Sequence, residues 1–488
     1  MSPLSRRRLF QLSGGLALST ATPAWAAARS EDWSGDVEVL RQAWTTIHPG
    51  LYLYITPEAL ETRLQALEAD WRAPGDFRAR FLALTRVTAA VKCGHTFPSP
   101  YNGGEPVRSR LYPDRALVPF AFRWLERRMV VTRDHSAEAA FPPGTVITAI
   151  DGVSTAALLE QLIPLARADG GNDAKRISLM EMRGDDRFET FDIHLPLILP
   201  LRNRATFDRA GVEPVQAGLL TLAERQAALP PTAETAPDAN PWTLDKGPDG
   251  IHRLTMPRWA LYNSSFRWEA WLGRVMDDLT PEGARGLIVD LRGNEGGLDC
   301  GNIILSRLIE RDLPLPRTQR YTRYRRVPDA LRPWLSTWDN SFYDWGRAAA
   351  GPDQDGIYRL TRLGDLIQGQ AIRRRGRRFA GPVVVLCDAA NSSATFQFAA
   401  AVKDNGLATL LGQPTGGNRR GINGGAFFFL KLPASQIVVD LPIIADFPDT
   451  PQPDSGLDPD VFVPTTAADI AAGRDPQMAA ATARILNA

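Results

Sequence analysis

The chain has 488 residues and a formal net charge of +1, and 44% of its residues are hydrophobic. These values predict a large soluble enzyme-sized chain of about three domains. The nearly balanced charge excludes a protein that binds nucleic acid through a strongly basic surface. The sequence contains neither an HExxH motif nor a cluster of cysteines and histidines, so we expect no metal and no other cofactor.

Residues 1–28 have the composition of an export signal peptide. Three arginines at positions 6–8 precede a weakly apolar stretch at 12–21, and the sequence Ala-Trp-Ala follows at 24–26. This pattern resembles a twin-arginine signal. The apolar stretch is too short, and too rich in Gly, Ser and Thr, to span a bilayer. We therefore expect a periplasmic or secreted mature protein without a membrane span.

Residues 29–111 are predicted to form an N-terminal helical domain. Apolar side chains recur there at spacings of three and four, which is typical of helices that bury one face. Thr56 and Asp76 are suited to cap the second and third helices. For His48, at the end of the first helix, we expect a packing role and not a catalytic one.

Residues 112–200 are predicted to form a β-rich module. Short apolar runs indicate strands, and a helix follows near Thr155 to Ala166. This order resembles a PDZ-like domain, which binds an extended peptide as an added strand at a sheet edge. A plain β-subdomain with a closed groove is the alternative. Residues 201–245 include a Pro/Ala-rich stretch after position 227 and are predicted to be a linker.

Residues 246–488 are predicted to form an α/β domain. Helical stretches alternate there with strands near Ile251 to Met256, Leu287 to Leu291, Val383 to Cys387 and Ile437 to Leu441. Continuous apolar runs of this kind are typical of strands that are buried on both faces of a sheet.

The strand at 383–387 leads into a turn that could carry a nucleophile. Asn391 and Ser392 are predicted to cap a helix from Ala394 to Asn405, which places Ser393 at a strand-to-helix turn. A serine there lies beside unpaired backbone N–H groups and the positive end of the helix dipole. It can therefore be a nucleophile or an ordinary capping residue.

The strand at 286–291 leads into a glycine-rich loop, Arg-Gly-Asn-Glu-Gly-Gly at 292–297. Glycine leaves its backbone N–H unhindered, as the binding of an oxyanion requires. Because loops at the carboxyl ends of strands form the site of an open α/β sheet, we expect this loop and the serine turn to meet.

Two sequence segments carry a resemblance to a known family. VDLRGNEGG, and NSSATFQFAAAVKDNGLATLLGQPTGG about a hundred residues later, resemble the tail-specific (C-terminal processing) proteases of serine peptidase family S41. The order of the pieces agrees over nearly all of the mature chain. The resemblance implies a crotonase/ClpP-like catalytic domain and a peptide or protein substrate. It assigns Ser393 as the nucleophile and the N–H groups of Gly297 and Ala394 as the oxyanion hole.

The resemblance also bears on the general base. One branch of the family has a lysine 25 residues after the serine, but Asn418 occupies that position here and no lysine lies between Lys403 and Lys431. Gly-His-Thr at 94–96 instead matches the branch that resembles the tricorn core protease, which uses an upstream histidine. His95 is therefore the implied base. The rate of peptide hydrolysis should then fall as the pH falls through roughly 6 to 7.

The residue that orients the histidine is less clearly indicated. Asp454 lies nearest the position that the family gives to its acid, whereas Asp404 matches another family position but could be a solvated acid at a helix end. Phe396 replaces the motif glutamate. With the missing lysine, this replacement leaves open a second hypothesis, a non-catalytic peptide- or ligand-binding relative on the same fold.

The cysteines and the oligomeric state stay open at this point. Cys93, Cys300 and Cys387 form no CxxC motif and are odd in number. In an oxidising compartment one pair could close, but the sequence does not select it. Nothing in the sequence indicates an oligomeric state.

Overall fold

The computed structural model describes residues 32–112, 115–184, 189–228, 238–279, 283–314, 318–361 and 371–488. The predicted export signal at 1–28 lies outside these residues. The chain divides into two compact units. Unit 1 comprises 1–111, 319–365 and 423–447, and unit 2 comprises 112–318, 366–422 and 448–488.

Helices and strands are numbered in chain order. The helices are α1 (Ser34–Ile47), α2 (Pro57–Arg72), α3 (Phe77–Ala90), α4 (Glu105–Leu111), α5 (Thr155–Leu162), α6 (Asp173–Leu179), α7 (Thr190–Ile198), α8 (Leu222–Ala227), α9 (Trp268–Asp278), α10 (Gly301–Leu308), α11 (Ser393–Asp404), α12 (Ala467–Ala471) and α13 (Pro476–Leu486). The strands are β1 (Phe97–Pro98), β2 (Phe120–Leu125), β3 (Arg128–Asp134), β4 (Val146–Ile150), β5 (Val153–Ser154), β6 (Arg204–Arg209), β7 (Val212–Gly218), β8 (Thr243–Lys246), β9 (Ile251–Thr255), β10 (Gly286–Asp290), β11 (Leu313–Pro314), β12 (Thr318–Thr322), β13 (Leu335–Ser336), β14 (Ala349–Ala350), β15 (Tyr358–Leu360), β16 (Ala371–Ile372), β17 (Val383–Cys387), β18 (Thr409–Gly412), β19 (Ile422–Asn423), β20 (Phe427–Lys431), β21 (Val438–Pro442), β22 (Ala445–Pro448) and β23 (Val461–Phe462).

Unit 1 begins with three amphipathic helices, α1 to α3. The predicted caps are confirmed, because the side chains of Thr56 and Asp76 accept hydrogen bonds from Ala59 N and Ala79 N, at 3.2 and 3.0 Å. The apolar face of each helix is buried, including Trp44 of α1 and Trp71 of α2. Burial of a large apolar side chain contributes about 1.5–3 kcal/mol, so these faces hold the helices together.

Unit 1 also contains strands from distant parts of the chain. Its four-stranded antiparallel sheet has the order β1-β21-β20-β13. A second sheet has the order β14-β15-β12-β22-β19. The strand predicted at Ile437 to Leu441 is present as β21, and it pairs with β1 and β20 in the sheet of unit 1. An apolar run indicates a strand without indicating its partner, and residues 246–488 are accordingly not one continuous unit.

Unit 2 contains the sheet on which the candidate site lies. Its order is β23-β18-β17-β10-β9-β8, and all neighbours are parallel except β8 and β9. Every residue of β10 and β17 is buried. Alternate residues of both strands face α9, α10 and α11 on one side and α13 on the other. The prediction of a sheet buried on both faces is confirmed.

The second sheet of unit 2 has the order β2-β3-β4-β6-β7, and β5 pairs with β4. Its core is aromatic and includes Phe120, Phe122 and Phe207. Strands β6 and β7 lie inside the predicted linker 201–245, so the linker prediction is wrong for this part. The Pro/Ala-rich composition starts only after these strands, and residues 229–237 of that stretch lie outside the described residues.

All three cysteines lie within the described residues. Cys93, Cys300 and Cys387 are all free and buried, so no pair closes. Burial raises the pKa of Cys387 to about 12, which makes this thiol unreactive near neutral pH. No helix within the described residues combines the length and hydropathy that a bilayer span requires.

Candidate active site

Ser393 is the first residue of α11 and has a backbone φ of 53°. Strand β17 ends six residues earlier, so the chain turns sharply between the sheet and the helix. A non-glycine residue in this left-handed region is strained by about 1 kcal/mol or more, and such residues cluster at functional sites. The turn therefore holds the serine in an uncommon conformation at the carboxyl edge of the sheet.

The predicted capping role of Asn391 and Ser392 is wrong. Ser392 occupies the N-cap position but makes no side-chain cap, and its hydroxyl donates to Glu295 O instead. The amide of Asn391 donates to Leu291 O at 2.6 Å and to Asn294 O at 3.0 Å. Both side chains thus join the serine turn to the glycine loop, because that loop offers carbonyl groups within reach.

Asp388 adds a second connection between the same two loops. Its carboxylate accepts from Gly293 N at 3.2 Å and from Ala390 N at 2.9 Å. Burial would raise the pKa of Asp388, but the charges of Arg183 and Arg123 and these N–H groups hold it below its usual value. Sequence reasoning missed this residue, although an aspartate directly after a buried strand was a visible signal.

The two glycines at the end of the loop fit only without side chains. A Cβ on Gly296 would lie 2.6 Å from Ser392 O and 2.9 Å from Ala394 N. A Cβ on Gly297, whose φ is 138°, would lie 2.4 Å from Trp259 O. The glycine loop therefore packs directly against the serine turn, as the position of both loops at one sheet edge predicted.

The predicted oxyanion-hole donors lie on these two loops. Ala394 follows Ser393 in the first turn of α11, and Gly297 follows the glycine that contacts Ser392. No hydrogen bond between the described residues uses the backbone N–H of Gly297 or of Ala394. Backbone N–H groups on a rigid turn are suitable donors for an oxyanion.

Asp454 lies in the same unit as Ser393 and is held by two hydrogen bonds. Its carboxylate accepts from Asn418 Nδ2 at 2.7 Å and from Gly171 N at 2.9 Å. Asn418 occupies the position at which one branch of the resembled family has a lysine, and here its amide donates to Asp454. Asp404, the alternative acid, forms an ion pair with Arg419 at 2.9 Å at the end of α11.

His95 belongs to unit 1, whereas Ser393, Ala394, Gly297 and Asp454 belong to unit 2. The ring centre of His95 lies 5.6 Å from that of Phe427 on β20. The next residue, Thr96, forms a hydrogen bond of 2.9 Å with His48 Nε2. Burial lowers the pKa of His48 to about 3, so this ring is neutral near pH 7 and supports the Gly-His-Thr segment from inside the unit.

A cavity of about 360 Å³ opens at the same edge of the parallel sheet. Arg183 in its wall pairs with Asp388 at 3.0 Å, and Arg292 pairs with Asp290 at 2.6 Å. Ser393 does not line it. These paired charges indicate a structural network. Within the described chain, no group of three or more His, Cys, Asp or Glu residues is placed to hold a metal ion.

Comparisons with known proteins agree with this geometry. Residues 254–439 match the model of peptidase family S41, and the match spans both the glycine loop and the serine turn. This similarity to peptidase family S41 supports a serine-type peptidase, although the match does not distinguish between the branches of the family.

Solved structures with a similar fold include two of CPAF. Mature CPAF complexed with lactacystin has a TM-score of 0.58 and 13% identity, over 93% of this chain and 97% of that chain. Mature CPAF alone has a TM-score of 0.58 and 14% identity, over 90% and 94% of the two chains. At these identities the likeness concerns the fold alone. The comparison with curated proteins finds no match.

Proposed function

We propose that this protein is an exported serine peptidase that hydrolyses peptide bonds of protein or peptide substrates with Ser393 as the nucleophile. One observation carries the proposal. Ser393 is the first residue of a helix and has a φ of 53°. A Cβ added to Gly296 would lie only 3.0 Å from the Cβ of Ser393. A serine in this conformation, pressed against a glycine loop, presents its hydroxyl beside backbone N–H donors.

In the proposed reaction, Ser393 Oγ attacks the carbonyl carbon of the peptide bond and passes its proton to the imidazole of His95. The N–H groups of Gly297 and Ala394 stabilise the oxyanion of the tetrahedral intermediate. The intermediate then expels the amine, which takes the proton from His95, and water hydrolyses the acyl-enzyme by the same route.

Asp454 is the proposed partner of His95 in this reaction. Support comes from its place in the sequence and from Asn418, which holds the carboxylate at 2.7 Å. A carboxylate on the second ring nitrogen fixes the tautomer of a histidine base. Asp454→Asn should lower turnover less than removal of His95 does, because it disturbs orientation without deleting the base. A variant with wild-type turnover would transfer the role to another acid.

The nucleophile can be tested with a fluorophosphonate probe, because an activated serine hydroxyl attacks phosphorus readily. We expect one label per wild-type chain, at Ser393, and none in Ser393→Ala. Ser392→Ala is the matched control and should still be labelled, since it removes the hydrogen bond to Glu295 O but keeps the nucleophile. A wild-type protein that is not labelled and does not turn over would instead favour the non-catalytic binding relative.

The export part of the proposal rests on the arginines at positions 6–8. Twin-arginine signals are read by a receptor, and lysine offers a different head group from arginine. Replacing the three arginines by lysines should retain the precursor in the cytoplasm. Unchanged appearance of the mature form outside would indicate a general secretory signal.

A further inference from the structure

Lys175 lies on α6, outside the loops of the proposed mechanism, yet it contacts two of them. Its ammonium donates to Ala390 O at 2.9 Å and lies 3.3 Å from Glu295 Oε1. Only 7% of the lysine side chain is exposed. A buried ammonium is costly unless it is paired, so these two contacts compensate its charge, although the Glu295 side chain is itself 48% exposed.

The two partners of Lys175 have specific places in the site. Ala390 lies in the turn three residues before Ser393, and Glu295 directly precedes the two glycines of the glycine loop. The single ammonium group therefore connects the serine turn to the loop that presents Gly297 N. A movement of either loop would break one contact or leave the charge without compensation.

Charge interactions reinforce this connection. Burial lowers the pKa of Lys175, while the charge of Glu295 acts in the opposite direction. Desolvation would raise the pKa of Glu295, but the charges of Lys175 and Arg167 hold it below its usual value. Arg167 Nη2 lies 3.7 Å from the second oxygen of Glu295. Both carboxylate oxygens are thus held by cations from the segment that precedes and begins α6.

The residues just before Lys175 connect α6 to two further loops of unit 2. Asn172 caps the helix through Lys175 N and donates from Nδ2 to Thr415 O at 3.0 Å and Gly417 O at 2.8 Å. Gly171 N donates to Asp454 at 2.9 Å. Because α6 is anchored on these sides as well, the ammonium of Lys175 has a defined position.

We infer that Lys175 is a positioning residue, whose ammonium holds the serine turn and the glycine loop at the separation that an oxyanion hole requires. This inference rests on the proposed function of Ser393. In this role a helix that packs beside β2 contributes to the chemistry at the edge of the parallel sheet. Lys175 touches neither the scissile bond nor Ser393 in this role, and it acts through backbone groups only.

The first measurement is the rate of fluorophosphonate labelling at a temperature at which all variants are folded. The probe should label Ser393 of the Lys175→Met variant at least tenfold more slowly than Ser393 of the wild type, since displacement of an oxyanion donor costs about 10²–10³ in rate. Lys175→Arg keeps the charge, so its labelling rate should fall by a smaller factor. Lys403→Met is the matched control, because it removes an ion-paired lysine from α11 itself, and we expect the wild-type rate.

The second measurement separates positioning from general structural support. A peptide boronate forms a tetrahedral adduct with the serine and uses the oxyanion hole, whereas a peptide bound to Ser393→Ala does not. Lys175→Met should weaken boronate binding by about the factor lost in kcat/KM. In the Ser393→Ala background the same substitution should leave peptide affinity within about twofold. Glu295→Gln, which keeps an acceptor oxygen but removes its charge, should give an intermediate loss.

The outcomes distinguish the two proposals. If the folded wild type is neither labelled nor active, the proposed function is wrong and the positioning role fails with it. If the wild type is labelled and Lys175→Met is labelled at the same rate, only the role of Lys175 is overturned. Equal losses in boronate and ground-state peptide binding would also overturn it, because they would indicate a general disturbance of the unit.

Discussion

The serine turn of unit 2 and the histidine segment of unit 1 are held in place by different means. Ser393 is fixed by the backbone, through a positive φ, a glycine loop in contact and the hydrogen bonds of Asn391 to main-chain carbonyls. The histidine segment is instead held by side-chain contacts, since the ring of Phe427 lies beside His95 and the buried His48 supports Thr96.

This difference indicates how each region should respond to substitution. A backbone constraint depends on a few adjacent residues and tolerates almost no added volume, so a single methyl group can disrupt it. A side-chain environment distributes its constraint over residues from separate segments, and a loss at one of them is partly absorbed by the others.

The largest effect is expected at His95 itself. His95→Ala should lower kcat/KM by on the order of a thousandfold or more, because the proton acceptor is removed. The thermal midpoint should change little, since the histidine is only partly buried. Kinetics with a peptide substrate and circular dichroism measure the two quantities. His135→Ala serves as the matched control, and a fully active His95→Ala would rule out the histidine mechanism.

The second prediction tests the backbone constraint. A Cβ at Gly297 would lie 2.4 Å from Trp259 O, so Gly297→Ala should displace the loop and lower turnover about a hundredfold or more. Gly406→Ala is the control, because its φ of 60° is also left-handed but no atom lies within 4 Å. It should lose only about 1 kcal/mol of stability and keep its turnover. Similar turnover in the two variants would refute the contrast.

The third prediction concerns the link between the loops. Asn391→Ala removes three buried hydrogen bonds and leaves Asp388 N unsatisfied, although Leu291 O keeps Asn294 N and Asn294 O keeps Thr395 Oγ1. At about 1 kcal/mol for each bond, the free energy of unfolding should fall by about 3 kcal/mol. Asn405→Ala, which removes one partly buried hydrogen bond to Ala401 O, should lower it by less than about 1 kcal/mol. Denaturant titration measures both values. Equal losses would show that the loops do not depend on Asn391.

The smallest effect is a pH dependence at His48. Its folded-state pKa of about 3 lies below the usual value of 6.5, so the unfolded chain binds a proton that the folded chain does not. Stability should therefore fall as the pH falls below 6.5, by about 2 kcal/mol between pH 7 and pH 5. His48→Gln should remove this share of the slope. His194, also lowered to about 3, should contribute a similar share, which His194→Gln would remove.

An unchanged pH slope in His48→Gln would mean that the histidine is protonated in the folded state. In that case the side-chain environment of the Gly-His-Thr segment is looser than the hydrogen bond to Thr96 indicates. The same titration in both variants compares the two units directly, because His48 lies in unit 1 and His194 in unit 2.

The parts of the molecule that depend on local pattern could be predicted from the sequence. Strand β17 was predicted with its observed bounds, because a strand buried on both faces requires an unbroken apolar run. The caps at Thr56 and Asp76 were predicted for the same kind of local reason. The assignments of Ser393, Ala394, Gly297, His95 and Asp454 stay predictions, since they rest on motifs and on a family resemblance.

The parts that depend on long-range partners could not be predicted. The apolar run at 437–441 gave no sign that it would pair with Phe97 and not with the parallel sheet. Ser392 and Asn391 were interpreted as caps because the carbonyl groups that they reach, a hundred residues earlier, are invisible to local pattern. Lys175 offered one weak signal, as one of five lysines in a chain that otherwise uses arginine.

Asp36 of α1 accepts hydrogen bonds from Ala434 N and Ser435 N, and 398 residues separate the first pair. A ribosome adds about 5–20 residues per second, so roughly 20–80 s pass between the synthesis of the acid and that of its partners. During that interval the strands that complete unit 1 have not yet been synthesised, so the apolar faces of the first helices lack these partners. The nascent chain should therefore expose apolar surface of the kind that holding chaperones bind.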